Sequence, residues 1–324
     1  MSMLTRRRVL AAKLETEVGT AIALDAAAAT YNVFDAVLNP DLEFIERPGQ
    51  SSLSPLPGVM GGRGGSVTFR TEWHGTGSAE DTGGESVPDW AEVFFPCCGL
   101  CCTALAKNVY NPVTGGPGVA DYSPRTCTIG VYVDGTLRQL AGCMGNPVFH
   151  LEAGKIVYIE WTFTGVWQVP TTTALIAPTY PTVLPVRAVG LGLTLTEYAT
   201  PKFNELVIDL GNEIILREDA AVGDAGYISA CLVNRRITGT LDVEAVAAGQ
   251  TSSHASWLIS TEQAVSLAAG PGTDAGADVA IAIPKLQFTN MQEADRNGLV
   301  TNALEFQCNR SASAGDDELS ITFT

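Results

Sequence analysis

Hydrophobic and polar residues alternate along most of this chain with a period of two, the signature of half-buried β-strands. In Ser66–Trp73 the pattern is strict: Val67, Phe69, Thr71 and Trp73 share one face, and Ser66, Thr68, Arg70 and Glu72 share the other. The first face is expected in a core and the second in water. The same reading predicts strands at 126–133, 156–163, 186–196, 206–210, 237–246, 279–283, 301–308 and 319–323. Asp134–Gly135 supplies a favoured hairpin turn after the first of these.

Two segments read as helices. Residues 90–105 follow Pro88–Asp89, a plausible N-terminal boundary, and are interrupted by Pro96 and Gly99; residues 253–267 form the second. Each helix follows a strand and a polar Gly/Ser/Thr loop, and a further strand, a glycine (Gly154 or Gly298) and a last strand come after it. That shared order is the internal evidence for two copies of one unit. A Thr/Pro-rich connector between them, running from Val169 through Pro170, Pro178 and Pro181 to Pro185, reads as extended and semi-rigid. The expected organisation is an N-terminal arm at 1–40, one domain at 41–170, a linker at 171–185 and a second domain at 186–324.

Composition narrows the function classes. The 324 residues carry 19 basic and 35 acidic side chains, a net charge of −16, shared by both parts of the chain. Such a surface lacks the clustered Lys and Arg that grip a phosphate backbone. Hydrophobic residues make up 46%, enough for a real core. Arg6–Arg8 precede an apolar Val-Leu-Ala-Ala run, but Lys13, Glu15 and Glu17 break it, so no signal peptide is read there. The uncharged stretch 161–186 is too rich in Thr and Pro for a membrane span.

Candidate chemistry is sparse. Cys97, Cys98, Cys101 and Cys102 include one CxxC, half of a zinc or redox site, while Cys127, Cys143, Cys231 and Cys308 are isolated, as are His74, His150 and His254. The apolar setting of the cluster favours buried thiols over zinc or a disulfide. The glycine-rich run 59–65 leads into a strand, which favours a mobile hairpin tip over a phosphate cradle. Acidic pairs such as Glu80–Asp81 and Asp316–Asp317–Glu318 read as solvated loop carboxylates. No cofactor and no catalytic residue is expected.

Three segments carry a family resemblance. They are the arm Lys13–Thr20; the run Thr126–Gly135 with Ala141–Asn146 and Gly154–Gly165; and the end from Asp295–Gly298 through Gln307–Arg310 to Asp317–Phe323. In these the chain resembles the tail tube proteins of long-tailed bacteriophages. The resemblance implies a mainly β fold, with two tandem β-sandwich or partial-barrel tube domains, each with a flanking helix. It also implies self-assembly in the host cytoplasm into stacked rings of the virion tail, trimeric and pseudo-hexameric in preference to hexameric. Other tail proteins would be partners, and phage DNA would pass through the lumen without specific binding.

Closing sheets through neighbouring subunits would satisfy edge strands that otherwise template aggregation. Glu72, Asp242 and Glu244 lie on polar strand faces and are candidate lumen-facing acids that would repel DNA; alternation alone leaves lumen and outer solvent equally open to them. Pro48–Gly64 is long and apolar for a loop, so Leu53, Leu56, Val59 and Met60 are candidate ring-to-ring contacts, with 219–234 as the second-copy counterpart. The N-terminal arm, residues 1–38, either joins that contact or is disordered, as Ala26–Ala29 would permit. The competing readings are a pair of β-sandwich adhesion or carbohydrate-binding modules, for which only Trp167 looks free to stack on sugar, and a metal enzyme centred on Cys97–Cys102.

Overall fold

A computed structural model of the chain describes residues 7–75, 87–103, 106–115, 118, 123–198, 200–221, 225–247, 251, 253–270 and 279–323. The first half contains β1 (Arg8–Leu14), β2 (Val33–Arg47), β3 (Leu56–Glu72), β4 (Leu100–Thr103), β5 (Ala106–Pro112), β6 (Cys127–Val133), β7 (Thr136–Glu152), β8 (Tyr158–Trp167) and the short β9 (Thr171–Thr172). The second contains β10 (Gly192–Leu195), β11 (Phe203–Asp209), β12 (Asn212–Glu218), β13 (Tyr227–Arg235), β14 (Thr238–Glu244), β15 (Glu262–Ala269), β16 (Val279–Arg296), β17 (Leu299–Cys308) and β18 (Ser320–Phe323). Helix α1 (Asp89–Cys97) follows β3, and α2 (Ser253–Leu258) follows β14.

Pairing in the first half runs β2-β3-β8-β7-β6-β1, and in the second β11-β14-β17-β16-β15-β10. The order is the same from edge to edge. The two runs are one sheet because β11 pairs with β7, Glu205 to Asp209 opposite Glu152 to Val148. A further path, β16-β18-β5-β4, carries the C-terminal strand back to the first half, and the sheet does not close into a barrel. The second half also continues β11 and β14 into a hairpin of its own, β12–β13, bent at Gly211, where φ is +61° and a Cβ would lie 2.1 Å from the Arg236 carbonyl.

One apolar core serves both halves. Val67 and Phe69 of β3 and Trp73 just after it pack with Phe94 of α1 and Trp161 and Phe163 of β8, while Phe323 of β18 meets Trp90 and Phe95. Trp161 Nε1 donates to Thr71 Oγ1 at 2.8 Å, so the polar handle of the largest core side chain is satisfied.

Several expectations are corrected. The segment 59–65 is no hairpin tip: β3 begins at Leu56 and the tip is 48–55. Tyr227, Leu216 and Leu140 lie against the strand, and a Cβ on Gly62, Gly64 or Gly65 would come within 3 Å of them, so a larger residue there would have to displace these side chains. The first helix stops at Cys97, since Gly99 at φ +72° turns the chain into β4. The second stops at Leu258, and 262–269 is a strand with strictly alternating burial. Of the strand expected over 186–196, only 192–195 forms. By position in the sheet β15 matches β6 and β16 matches β7, so residues 279–283 belong to a different strand of the repeat than their order in the chain implied.

Within the N-terminal arm Arg8–Leu14 form β1 and Ala26–Ala29 a 3-10 turn. β1 pairs with β6 along its length, and the Glu15 carboxylate, buried, accepts hydrogen bonds from Thr126 Oγ1 (2.6 Å), Thr128 Oγ1 (2.8 Å), Gly142 N (2.7 Å) and Gly19 N (2.8 Å). Val9 and Ala11 pack with Ala28, Ala29 and Tyr132 on the outer side of the sheet. Among the described residues no helix is long and apolar enough to cross a membrane.

Candidate functional site

Because directly opposed residues of antiparallel strands point to one side, the pairing registers define which side chains share a face. One rung reads Glu72, Tyr158, His150, Val207, Thr240, Glu305, Asn290 across seven strands and both halves. Its neighbour on one side reads Arg70, Glu160, Val148, Asp209, Thr238, Gln307, Gln287. On the other side lie Glu152, Glu205, Asp242, Ala303 and Gln292, followed by Glu244 with Thr301. Glu72, Asp242 and Glu244 thus share one face of the sheet, mostly polar but carrying Val148, Val207 and Ala303 as well. Strand alternation places each on a polar side, and the β7–β11 pairing makes those sides continuous.

The charge of that face is graded. Arg296 reaches both Asp242 (2.8 Å) and Glu244 (3.2 Å), which neutralises half of their joint charge. Arg70 lies 3.8 Å from Glu160 and sits over the Tyr158 ring, on which His150 stacks. Burial pushes the His150 imidazole below its ordinary range, against the opposing pull of Glu160 and Glu205, so it adds no cation at neutral pH. Glu72 and Glu205 make no ion pair with any described residue. Acids therefore outnumber the cations that face them, and His150 Nε2 lies 3.9 Å from Glu160.

The hairpin β2–β3 projects beyond the sheet. Leu53 at its tip is fully exposed, and Phe44, Ile45, Leu56, Val59 and Met60 on its flanks are exposed as well. The four residues expected to make contacts between copies are thus all bare, although three of them lie on strand rather than loop. The equivalent hairpin β12–β13 is instead held against the first half. Asn146 Nδ2 donates to Asp209 Oδ1 (2.7 Å), Asn146 Oδ1 accepts from Asn212 N (2.8 Å), and Asn212 Nδ2 donates to the carbonyls of Cys98 (2.8 Å) and Gly145 (2.9 Å). Sequence reading quoted Asn146 only as part of a motif; its role at this joint depends on a partner 66 residues away.

Cys97, Cys98, Cys127 and Cys143 are wholly buried around the end of α1, burial pushes all four thiols up, and that of Cys101 is raised to about 12. Among the described residues no group of three His, Cys, Asp or Glu could hold a metal ion together. A thiol reagent should label Cys231 and Cys102 of the native protein rapidly and the four buried thiols only on unfolding. Mass mapping that finds Cys97 or Cys127 labelled at the native rate would contradict this packing.

Other expected residues fall as follows. Asp316 accepts from Thr114 and Arg235, and these partners hold its carboxyl below the usual range although burial acts the other way. It braces the C-terminal segment against the first half. Glu80–Asp81 lie outside the described residues. Trp73, Trp90 and Trp161 are buried, Trp167 is half-buried, and Trp257 on α2 is exposed.

Comparison with known proteins gives one family. The family model described as phage tail tube protein matches residues 5–321, nearly the whole chain. A search of curated proteins matches none of them to it.

Proposed function

The chain belongs to the phage tail tube protein family, and on that premise we propose that it assembles with copies of itself into stacked rings whose bore conducts the genome. Its role is structural, as a component of the virion tail. The observation that carries the fuller reading is the single sheet face that brings Glu72, Glu152, Glu205, Asp242 and Glu244 together across both halves. A bore lined by that face would repel phosphates through Glu72 and Glu205, and more weakly through Asp242 and Glu244 beside Arg296, so that DNA slides without being held.

Two tube domains per chain, an arm at 1–40 and a linker at 171–185 complete the proposal. The strand order that occurs twice supports it, because three such chains would present six like units and a trimeric ring with pseudo-sixfold symmetry. The exposed β2–β3 hairpin is a contact between copies, with Leu53 at its tip reaching the next ring. Other tail proteins would meet the ends of the tube, assembly would take place in the host cytoplasm, and no chemical step is assigned to the chain.

Electron microscopy of the purified full-length protein tests this reading. Hollow tubes with three chains per ring, and an inner wall carrying Glu72 and Asp242, are expected. A protein that stays monomeric at high concentration and is missing from tails would overturn the proposal. Six chains per ring would overturn the trimer alone, and a wall lined by another face would overturn the role of the acids.

A further inference from the structure

The joint between the two halves is a template for a joint between two chains. Inside the chain, β7 takes β6 along Thr136–Cys143 and β11 along Val148–Glu152 on the same edge, the opposite edge being occupied by β8. β16 has the same arrangement up to a point. It takes β15 along Val279–Gln287 and β17 on the opposite edge, but no described strand covers residues 290–296 on the β15 side. The strand in the first half that corresponds to β11 is β2, and no described strand pairs with its outer edge. Each chain thus ends in the two complementary halves of the joint it contains.

The apolar surfaces repeat this relation. Where the joint is made, the β12–β13 hairpin covers the end of α1: Leu232 lies so close to Gly99 that a Cβ there would be 2.7 Å from its methyl, and Cys97 and Cys98 are 0% exposed. α2 ends in the same way, with Ser260 at φ +58° where α1 has Gly99 at +72°. Leu258 and Ile259 before it are 83% and 73% exposed. The hairpin that would cover them, β2–β3, is the one with bare flanks.

We propose that copies of this chain join head to tail, the β2 edge of one adding to residues 290–296 of β16 in the next, with Phe44, Ile45 and Val59 of the first covering Leu258 and Ile259 of the second. The proposal deepens the tube reading and rests on it. It puts the hairpin flanks within a ring, between neighbours, and leaves only the Leu53 tip for the next ring. The contact is heterologous, so it closes into a ring or runs on as a filament and cannot stop at a symmetric dimer.

Two double variants of the full chain test it: Leu258→Asp with Ile259→Asp, and Phe44→Asp with Val59→Asp. All four positions are exposed, so each variant should keep the circular dichroism and melting temperature of the parent. Each alone is expected to remain monomeric under conditions where the parent forms tubes. Mixed in equal amounts they should double in mass to a dimer that grows no further, because one intact hairpin meets one intact α2 end. Should a double variant prove unfolded, Ile45→Cys and Ile259→Cys on separate chains, joined by a short bis-maleimide within parent-like tubes, replace it, and a pair that does not cross-link overturns the contact. Tubes from either double variant, or a mixture that stays monomeric, would also overturn this contact while leaving the tube reading intact. A parent protein that never assembles would overturn both.

Discussion

Replacing Glu15 by alanine is expected to destabilise the protein by about 3–5 kcal/mol and to release the N-terminal arm. The carboxylate is buried between β1 and the strands β6 and β7, and it is the acceptor for two threonine hydroxyls and two backbone amides. Its loss leaves buried donors without a partner, each costing about 1–3 kcal/mol, although the threonine hydroxyls can rotate and recover part of that. Gln in its place keeps the shape but points an NH2 at donors, so its effect should be smaller and of the same sign. Hydrogen exchange separates this latch from general destabilisation: the amides of residues 8–14 should lose protection before those of β16 and β17. Equal protection of β1 in the parent and the alanine variant would show that Glu15 does not hold the arm.

Trp161→Ala should cost a similar amount, about 3–5 kcal/mol, by opening a cavity where the core is densest in aromatic rings. Trp161 is wholly buried, meets Phe69, Trp90, Phe94, Phe95 and Phe163, and donates to Thr71. α1 rests on these rings, and Phe323 from the far end of the chain rests on α1, so the loss should be felt in both halves. Trp161→Phe refills most of the space and loses chiefly the hydrogen bond. A melt followed by near-ultraviolet circular dichroism reads the change; an alanine variant melting within a degree of the parent would refute this account of the core.

Legibility along the sequence followed locality. The strand over 66–73 was readable because Val67, Phe69, Thr71 and Trp73 alternate strictly with polar residues, and both its faces are as expected. The strand at 262–269 was read as helix because Ala, Gln, Ser and Leu suit a helix and α2 runs up to it; β10 and β16 on its two edges overrule that preference. Residues 59–65 were read as a tip because four glycines in seven residues look like a turn. They lie on a strand instead, where Tyr227 and Leu216 of the second half approach Gly62 and Gly64, and Leu140 of the first approaches Gly65. The buried side of Glu15 had no local signal, since a carboxylate two residues from Glu17 in a polar-looking arm gives no hint of the donors 111 and 127 residues on.

For the candidate site, alternation put Glu72, Asp242 and Glu244 on polar faces, and the apolar content of Pro48–Gly64 marked the hairpin as a candidate contact surface, whose residues are exposed. Alternation could not put the acids on the same face, nor reveal that Arg296 sits between two of them. By itself the sequence determined the β class, the family resemblance and the polarity of strands such as 66–73, because a period of two is written in neighbouring residues. The tertiary structure alone decided which strands pair, and above all that β11 joins β7, because pairing depends on segments far apart in the chain whose edges match only once both are folded.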